Sequence, residues 1–139
     1  MKKFRVVQWG LGAMGSGMAR LVLEKDGLEL VGGIDMRPDY VGKDLGEVLG
    51  GGKRLGVTVT NDPASVLDKA DVDLVVIATT SWTKEQLSDL RRILSAGTNC
   101  ISIAEELAAP EAQNPALAAA LDALSTPTQA ARGKILLEP

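Results

Sequence analysis

The sequence predicts an α/β fold, a Rossmann-type doubly wound parallel sheet, and three observations carry the prediction. Strand-like and helix-like segments alternate along the 139 residues, the pattern of a parallel sheet covered on both faces by crossover helices. The apolar stretch Arg5-Val6-Val7-Gln8-Trp9 runs straight into glycines at Gly10, Gly12 and Gly15. A second apolar stretch, Leu28 to Ile34, ends in Asp35, 20 residues beyond Gly15.

Each element has its own justification. The segment after the first strand repeats Leu11, Met14, Met18, Leu21 and Val22 at helical spacing, which predicts one buried stripe with the methionines as core filler. Leu55-Gly56-Val57-Thr58-Val59-Thr60 alternates as a third strand, and Val72 to Ala78 is a nearly continuous apolar run suited to a central one. Thr98 to Ile103 makes a fifth strand. Helices are expected over Pro63 to Lys69, with Asp62 as N-cap and Pro63 in the first turn, and over Thr83 to Ala96, closed by Gly97. A further helix is capped by Asn114, takes Pro115 inside it and continues through Ala116 to Leu124.

Gly10, Gly12 and Gly15 form a G-x-G-x-x-G pattern in strand-to-helix context, the dinucleotide fingerprint. Gly10 would make the tight turn, Gly12 would let backbone approach a pyrophosphate, and Gly15 would allow close packing of helix on strand. The free amides and positive dipole end of the following helix can hold a diphosphate without any basic side chain. Asp35, at the tip of the second strand, suits the hydroxyl pair of a ribose. It would repel a 2'-phosphate, whereas Arg37 could reach one and stack near adenine, so NAD is expected, with NADP tolerated. The plain alternative makes the glycines an ordinary turn, and Asp35 and Arg37 exposed charges. The cofactor-binding candidates in this part of the chain are Gly10, Leu11, Gly12, Ala13, Met14, Gly15, Asp35, Met36 and Arg37.

Ligands of an open parallel sheet bind beyond the carboxyl ends of the strands. Ala78, Thr79, Thr80 and Ser81 end the fourth strand there and are candidates to line the nicotinamide ribose region; the alternative is a hydroxyl-rich turn that caps the Thr83 helix. Glu105 and Glu106 follow the fifth strand at the same rim. The alternative for that pair is the first turn of a helix, where acidic residues suit the dipole.

Composition narrows the function classes. Hydrophobic residues make up 45% and charged residues 24%, as in a globular domain with a substantial core. A net charge of -3, no Lys/Arg cluster and only four scattered aromatics (Phe4, Trp9, Tyr40, Trp82) argue against nucleic acid as a partner. No apolar run reaches the length of a membrane span. The lone Cys100 excludes an internal disulfide and suits a reducing, cytoplasmic compartment. Histidine is absent, which removes imidazole catalysis and most zinc sites, and no metal is expected.

Val6 to Gly15, the Gly42-Lys43-Asp44-Leu45-Gly46 turn and the Ala78-Thr79-Thr80-Ser81 strand end together resemble the amino-terminal domain of the dihydrodipicolinate-reductase-like superfamily. More narrowly, they are similar to the 2,4-diaminopentanoate dehydrogenases and native amine dehydrogenases. The resemblance covers about residues 3 to 124. It implies an NAD(P)-dependent oxidoreductase that interconverts an amine with a carbonyl compound and ammonia. It also implies that a glutamate of an E-E-L turn, here Glu105, is the catalytic residue holding the amine or ammonium. A carboxylate can attract that cation and shuttle a proton.

The resemblance lapses after Leu124. Residues 1–124 are expected to form the dinucleotide-binding domain and 125–139 a divergent segment, with Thr126, Pro127 and Gln129 predicting a short helix over 127–137. The relatives continue into a substrate domain. The chain is therefore expected to bind reduced cofactor without appreciable turnover, and to self-associate as a homo-oligomer. The alternatives are a dinucleotide-sensing or structural module without enzymatic activity, and an unliganded scaffold.

Overall fold

The computed structural model describes residues 2–68, 71–125 and 135–137, with side chains up to residue 123 apart from the gap. The chain divides into two units, residues 1–78 and 79–139.

In the first unit four strands run in the order β3-β2-β1-β4, all parallel: β1 (Phe4–Trp9), β2 (Leu28–Ile34), β3 (Val59–Thr60) and β4 (Leu74–Ile77). β1 and β2 form where the apolar runs predict. Val6 pairs with Leu30 and Val7 with Gly32, so Val31 is an extra residue and the ladder bulges. After the bulge Gly32 and Gly33 face opposite sides of the sheet. A Cβ on Gly32 would lie 2.7 Å from Val66 of α3 (Pro63–Leu67), and one on Gly33 would lie 3.0 Å from Leu45 of α2 (Leu45–Val48). Helices thus cover both faces, and the doubly wound Rossmann class is what the chain adopts.

The core on one face joins Val6, Leu30, Val59 and Val76 of the sheet to Leu11, to Ala19 and Val22 of α1 (Ala13–Glu24), and to Leu45 and Leu49 around α2. The predicted α1 stripe needs correction. Leu11 and Val22 are buried and Met18 is half-buried, but Met14 is 66% and Leu21 53% exposed. The buried face of the helix is Gly15, Ser16, Ala19 and Val22, because small residues let α1 sit closely on the sheet.

The third strand is also shorter than its alternating pattern suggests. Gly56 has a φ of 73°, and the amides of Leu55 and Gly56 are taken by the Asp44 carboxylate at 2.9 and 2.8 Å instead of a ladder. Thr58 adds only an isolated antiparallel bridge to Asp44. Asp44 also caps α2 through the Gly46 amide at 2.9 Å. Gly46 has to be glycine, since its Cβ would lie 1.9 Å from the Lys53 carbonyl oxygen. The Gly42–Gly46 motif is therefore a clamp between the strand-2 loop and the strand-3 entry.

The amides of Leu55, Gly46 and Gly56, helped by the charge of Arg54, hold the Asp44 carboxyl below its usual range despite its burial. A depressed carboxyl stabilises the fold above its unfolded pKa of about 3.9 and loses that contribution as pH falls through the lower folded value. The stability lost in Asp44→Asn should therefore be full at neutral pH and shrink below about pH 4. Urea midpoints of both proteins from pH 7 to pH 2 would show this, and a gap independent of pH would contradict it.

In the second unit β5 (Asn99–Ser102) pairs in parallel with β6 (Ile135–Leu137), and α4 (Thr83–Ser95) lies against α6 (Pro115–Ser125). Cys100 is fully buried in β5; burial pushes its thiol up to about 12, so it stays protonated and inert. Expected caps are in place: Asp62 accepts from the Ala64 amide at 3.2 Å, Asn114 from Leu117 at 3.2 Å, and Gly97 has a φ of 75° after α4. A 3-10 turn (Glu105–Ala108) and α5 (Pro110–Gln113) precede α6. The helix expected over 127–137 is not what forms at its end. Residues 135–137 are a strand, because the Ile135-Leu136-Leu137 run finds an open edge on β5, while residues 126–134 lie outside those described.

Candidate functional site

The glycine loop is held from several directions. Gly10 has a φ of 94°, a turn only glycine makes without strain, and its amide donates to the Ile34 carbonyl at 2.8 Å. A Cβ on Gly15 would sit 1.9 Å from the Gly10 carbonyl oxygen, so helix and turn touch backbone to backbone. Ser16 donates its hydroxyl to the Leu11 carbonyl at 2.9 Å. The fully buried Gln8 donates its amide to the Gly10 carbonyl at 3.1 Å, and its own Oε1 has no partner among the described residues.

Gly12 is different. It stands at the N-cap of α1 with φ -68° and ψ -168°, extended backbone open to any residue, and makes no side-chain cap. Among the described residues, the atom within 4 Å of a Cβ there is an Arg37 guanidinium nitrogen at 3.2 Å, the far end of a flexible side chain. Neither conformation nor packing demands glycine. What its absent side chain leaves is free access to the first amides of α1, which have no intrahelical acceptor.

The β2 end closes over this loop. Asp35 is 7% exposed and accepts from the Leu11 amide and the Arg37 amide, both at 2.8 Å. Arg37 Nε lies 3.6 Å from the same carboxylate, its guanidinium carbon stands 4.7 Å over the Tyr40 ring, and a guanidinium nitrogen donates to the Tyr40 hydroxyl at 3.2 Å. Gly10, Leu11, Gly12, Gly15, Asp35 and Arg37 are thus one connected group. Ala13, Met14 and Met36 are its exposed chain neighbours. Tyr40, Gln8 and Ser16 were not legible as members. Tyr40 follows Arg37 by three residues, a spacing that brings side chains together only because the loop turns there.

A groove of about 470 Å³ lies elsewhere on this unit, between Arg20 and Leu23 of α1 and the Gly50–Lys53 loop, and shares no residue with the group.

In the second unit, the strand end Thr79-Thr80-Ser81 leads into α4. Thr80 accepts from the Trp82 amide at 3.2 Å and donates to Glu85 at 2.6 Å, a local turn just before the helix rather than a cap on it. Trp82 itself cannot cap α4; Glu106 does so from across the unit, accepting the Thr83 amide at 2.7 Å, while its own amide donates to Ser81. Glu106 is therefore structural. Glu105 is exposed, and its side chain makes no hydrogen bond or ion pair among the described residues. A hydrogen-bonded chain runs from Ala104 through the buried Ser102 and Gln86 to the exposed Thr79. Its signal in the sequence was Gln86 itself, a polar residue in register with Leu90 and Ile93 on the buried stripe of α4.

The family model for the amino terminus of dihydrodipicolinate reductase matches residues 4–74, which include the glycine loop, Asp35, Arg37 and the Asp44 clamp. The chain belongs to that family. As the sequence motifs implied, it is a Rossmann-type domain of the dihydrodipicolinate-reductase-like superfamily. The chain is 37% identical over 127 residues to the 2,4-diaminopentanoate dehydrogenase of Acetoanaerobium sticklandii, covering 90% of this chain and 35% of that protein. The 4-hydroxy-tetrahydrodipicolinate reductase of Ruegeria pomeroyi is 34% identical over 110 residues, 76% of this chain and 40% of that one. Among solved structures, the amine dehydrogenase of Mycobacterium smegmatis superposes with a TM-score of 0.84 at 41% identity over 88% of this chain and 36% of the other. This family member thus spans between a third and two fifths of the length of these relatives. No helix among its described residues is long and apolar enough to cross a membrane.

Proposed function

We propose that the chain is the NAD(P)-binding domain of an amine-dehydrogenase-type oxidoreductase. The observation that carries the reading is Gly12: a glycine that backbone and packing do not require, placed where a diphosphate would meet the open amides of α1. The bound dinucleotide supplies a hydride acceptor or donor. In this proposal Gly10 to Gly15 cradle the pyrophosphate, Asp35 and Arg37 select the adenine ribose, and Ala78 to Ser81 contact the nicotinamide half. Glu105, whose side chain has no partner among the described residues, attracts the ammonium of an amine substrate and passes its proton during reductive amination or oxidative deamination. The similarity to a diaminopentanoate dehydrogenase and an amine dehydrogenase supports this choice among the oxidoreductases. The buried lone Cys100 suits a cytoplasmic setting, and the exposed Leu21 and Leu23 of α1 offer apolar surface for a homo-oligomer.

Titration with NADH and NADPH by calorimetry tests the cofactor assignment. Asp35 holds the Leu11 amide as well as facing the ribose, so Asp35→Ala should weaken both cofactors and NAD the more, by about 1.5 to 3 kcal/mol for a lost charged hydrogen bond. Arg37→Ala should weaken NADP selectively. An NAD/NADP ratio that neither substitution moves would remove these two residues from the ribose site.

A further inference from the structure

We propose that Thr79 is a directed hydrogen-bond donor to an oxygen of the nicotinamide half of the cofactor, and that Gln86 and Ser102 are positioning residues that set its direction. The inference rests on the dinucleotide reading above and deepens it. The hydrogens along the relay of the second unit have a fixed direction. The Ala104 amide, which can only donate, gives its hydrogen to Ser102 Oγ at 3.1 Å. Ser102, 2% exposed, lies 2.5 Å from Gln86 Oε1, a separation that belongs to O–H···O pairs and is shorter than N–H···O pairs. Turning the Gln86 amide over would leave the buried Ser102 hydrogen without an acceptor, which is costly.

Gln86, fully buried, therefore presents its NH2 to Thr79 and donates to Oγ1 at 3.1 Å. A threonine hydroxyl has one hydrogen. With its oxygen occupied by Gln86, Thr79 points that hydrogen away from the relay, at an exposed position where no described residue accepts it. Thr80 cannot substitute, because its hydrogen goes to Glu85 at 2.6 Å. The partner of Thr79 must be an acceptor, such as a ribose hydroxyl oxygen or the carboxamide oxygen.

The test is calorimetric titration with NADH and with ADP, which lacks the nicotinamide half. Thr79→Val should lower NADH affinity by about fivefold to tenfold and leave ADP affinity unchanged, and Thr79→Ser should restore NADH binding. Gln86→Glu puts an acceptor where the donor stood, so Thr79 turns its hydrogen inward; NADH affinity should fall by the same factor, and nothing further should be lost when this change is added to Thr79→Val. Should the buried carboxylate prevent folding, Ser102→Ala frees the Gln86 amide to turn and should lower NADH affinity in the same direction. Wild-type affinity in Thr79→Val, an equal loss of ADP, or additive losses in the double variant would overturn the relay while the cofactor reading stands. A wild-type protein that takes neither NADH nor ADP would overturn the cofactor reading and the relay together.

Discussion

Replacing Gly15 with alanine is expected to destabilise the protein by about 3 kcal/mol or more, at the upper end of overpacking effects. The added methyl carbon would stand 1.9 Å from the Gly10 carbonyl oxygen and 2.7 Å from the Gly10 carbonyl carbon, and both obstacles are backbone. Neither can retreat cheaply, because Gly10 is tied to Ile34 by its amide and Leu11 to Asp35. For a domain of this size the thermal midpoint should drop by roughly 10 °C. Gly17 provides the comparison on the same helix. No atom of the described residues lies within 4 Å of a Cβ there, so Gly17→Ala should raise stability by about 0.5 to 1 kcal/mol through helix propensity alone. Thermal melts of the two variants separate packing from propensity, and a Gly15→Ala protein as stable as wild type would refute the backbone contact.

Gly12→Val should do the reverse, sparing the fold and abolishing cofactor binding. Its backbone angles suit valine, and the neighbour its Cβ meets is the movable tip of Arg37 at 3.2 Å, so the thermal midpoint should stay within a few degrees of wild type. The isopropyl group would occupy the approach to the α1 amides. A loss of at least about a hundredfold in NADH affinity is expected, equivalent to about 2.7 kcal/mol. Fluorescence titration of the folded variant decides the matter, since retained affinity would place the pyrophosphate somewhere other than this loop.

Much of the fold was legible because its signals are local. The apolar runs of β1 and β2, the glycine spacing between them, Asp62 with Pro63, Asn114 with Pro115, and Gly97 each act within a turn or two of chain. The order of those motifs was also enough to indicate the family that the residues 4–74 match shows. Where the structure departs from the local pattern, a partner distant in sequence chose between local options. Leu21 has the character of a buried residue, yet the sheet accepted the smaller Gly15, Ser16 and Ala19, because a closer approach buries more backbone. Leu55 to Thr60 alternates like a strand, but Asp44 took two of its amides.

The candidate site divides along the same line. By itself the sequence determined that a glycine loop opens a helix, that Asp35 and Arg37 follow the second strand, and that hydroxyls and carboxylates follow the fourth and fifth. Only the tertiary structure decided their duties: Asp35 bridges to Leu11, Glu106 caps α4 while the Glu105 side chain has no partner among the described residues, and Gln86 orients Thr79 while Thr80 spends its hydrogen on Glu85. The physical reason is that a hydroxyl or carboxylate is chemically versatile until its neighbours occupy its lone pairs and hydrogens, and those neighbours arrive by folding from up to 24 residues away.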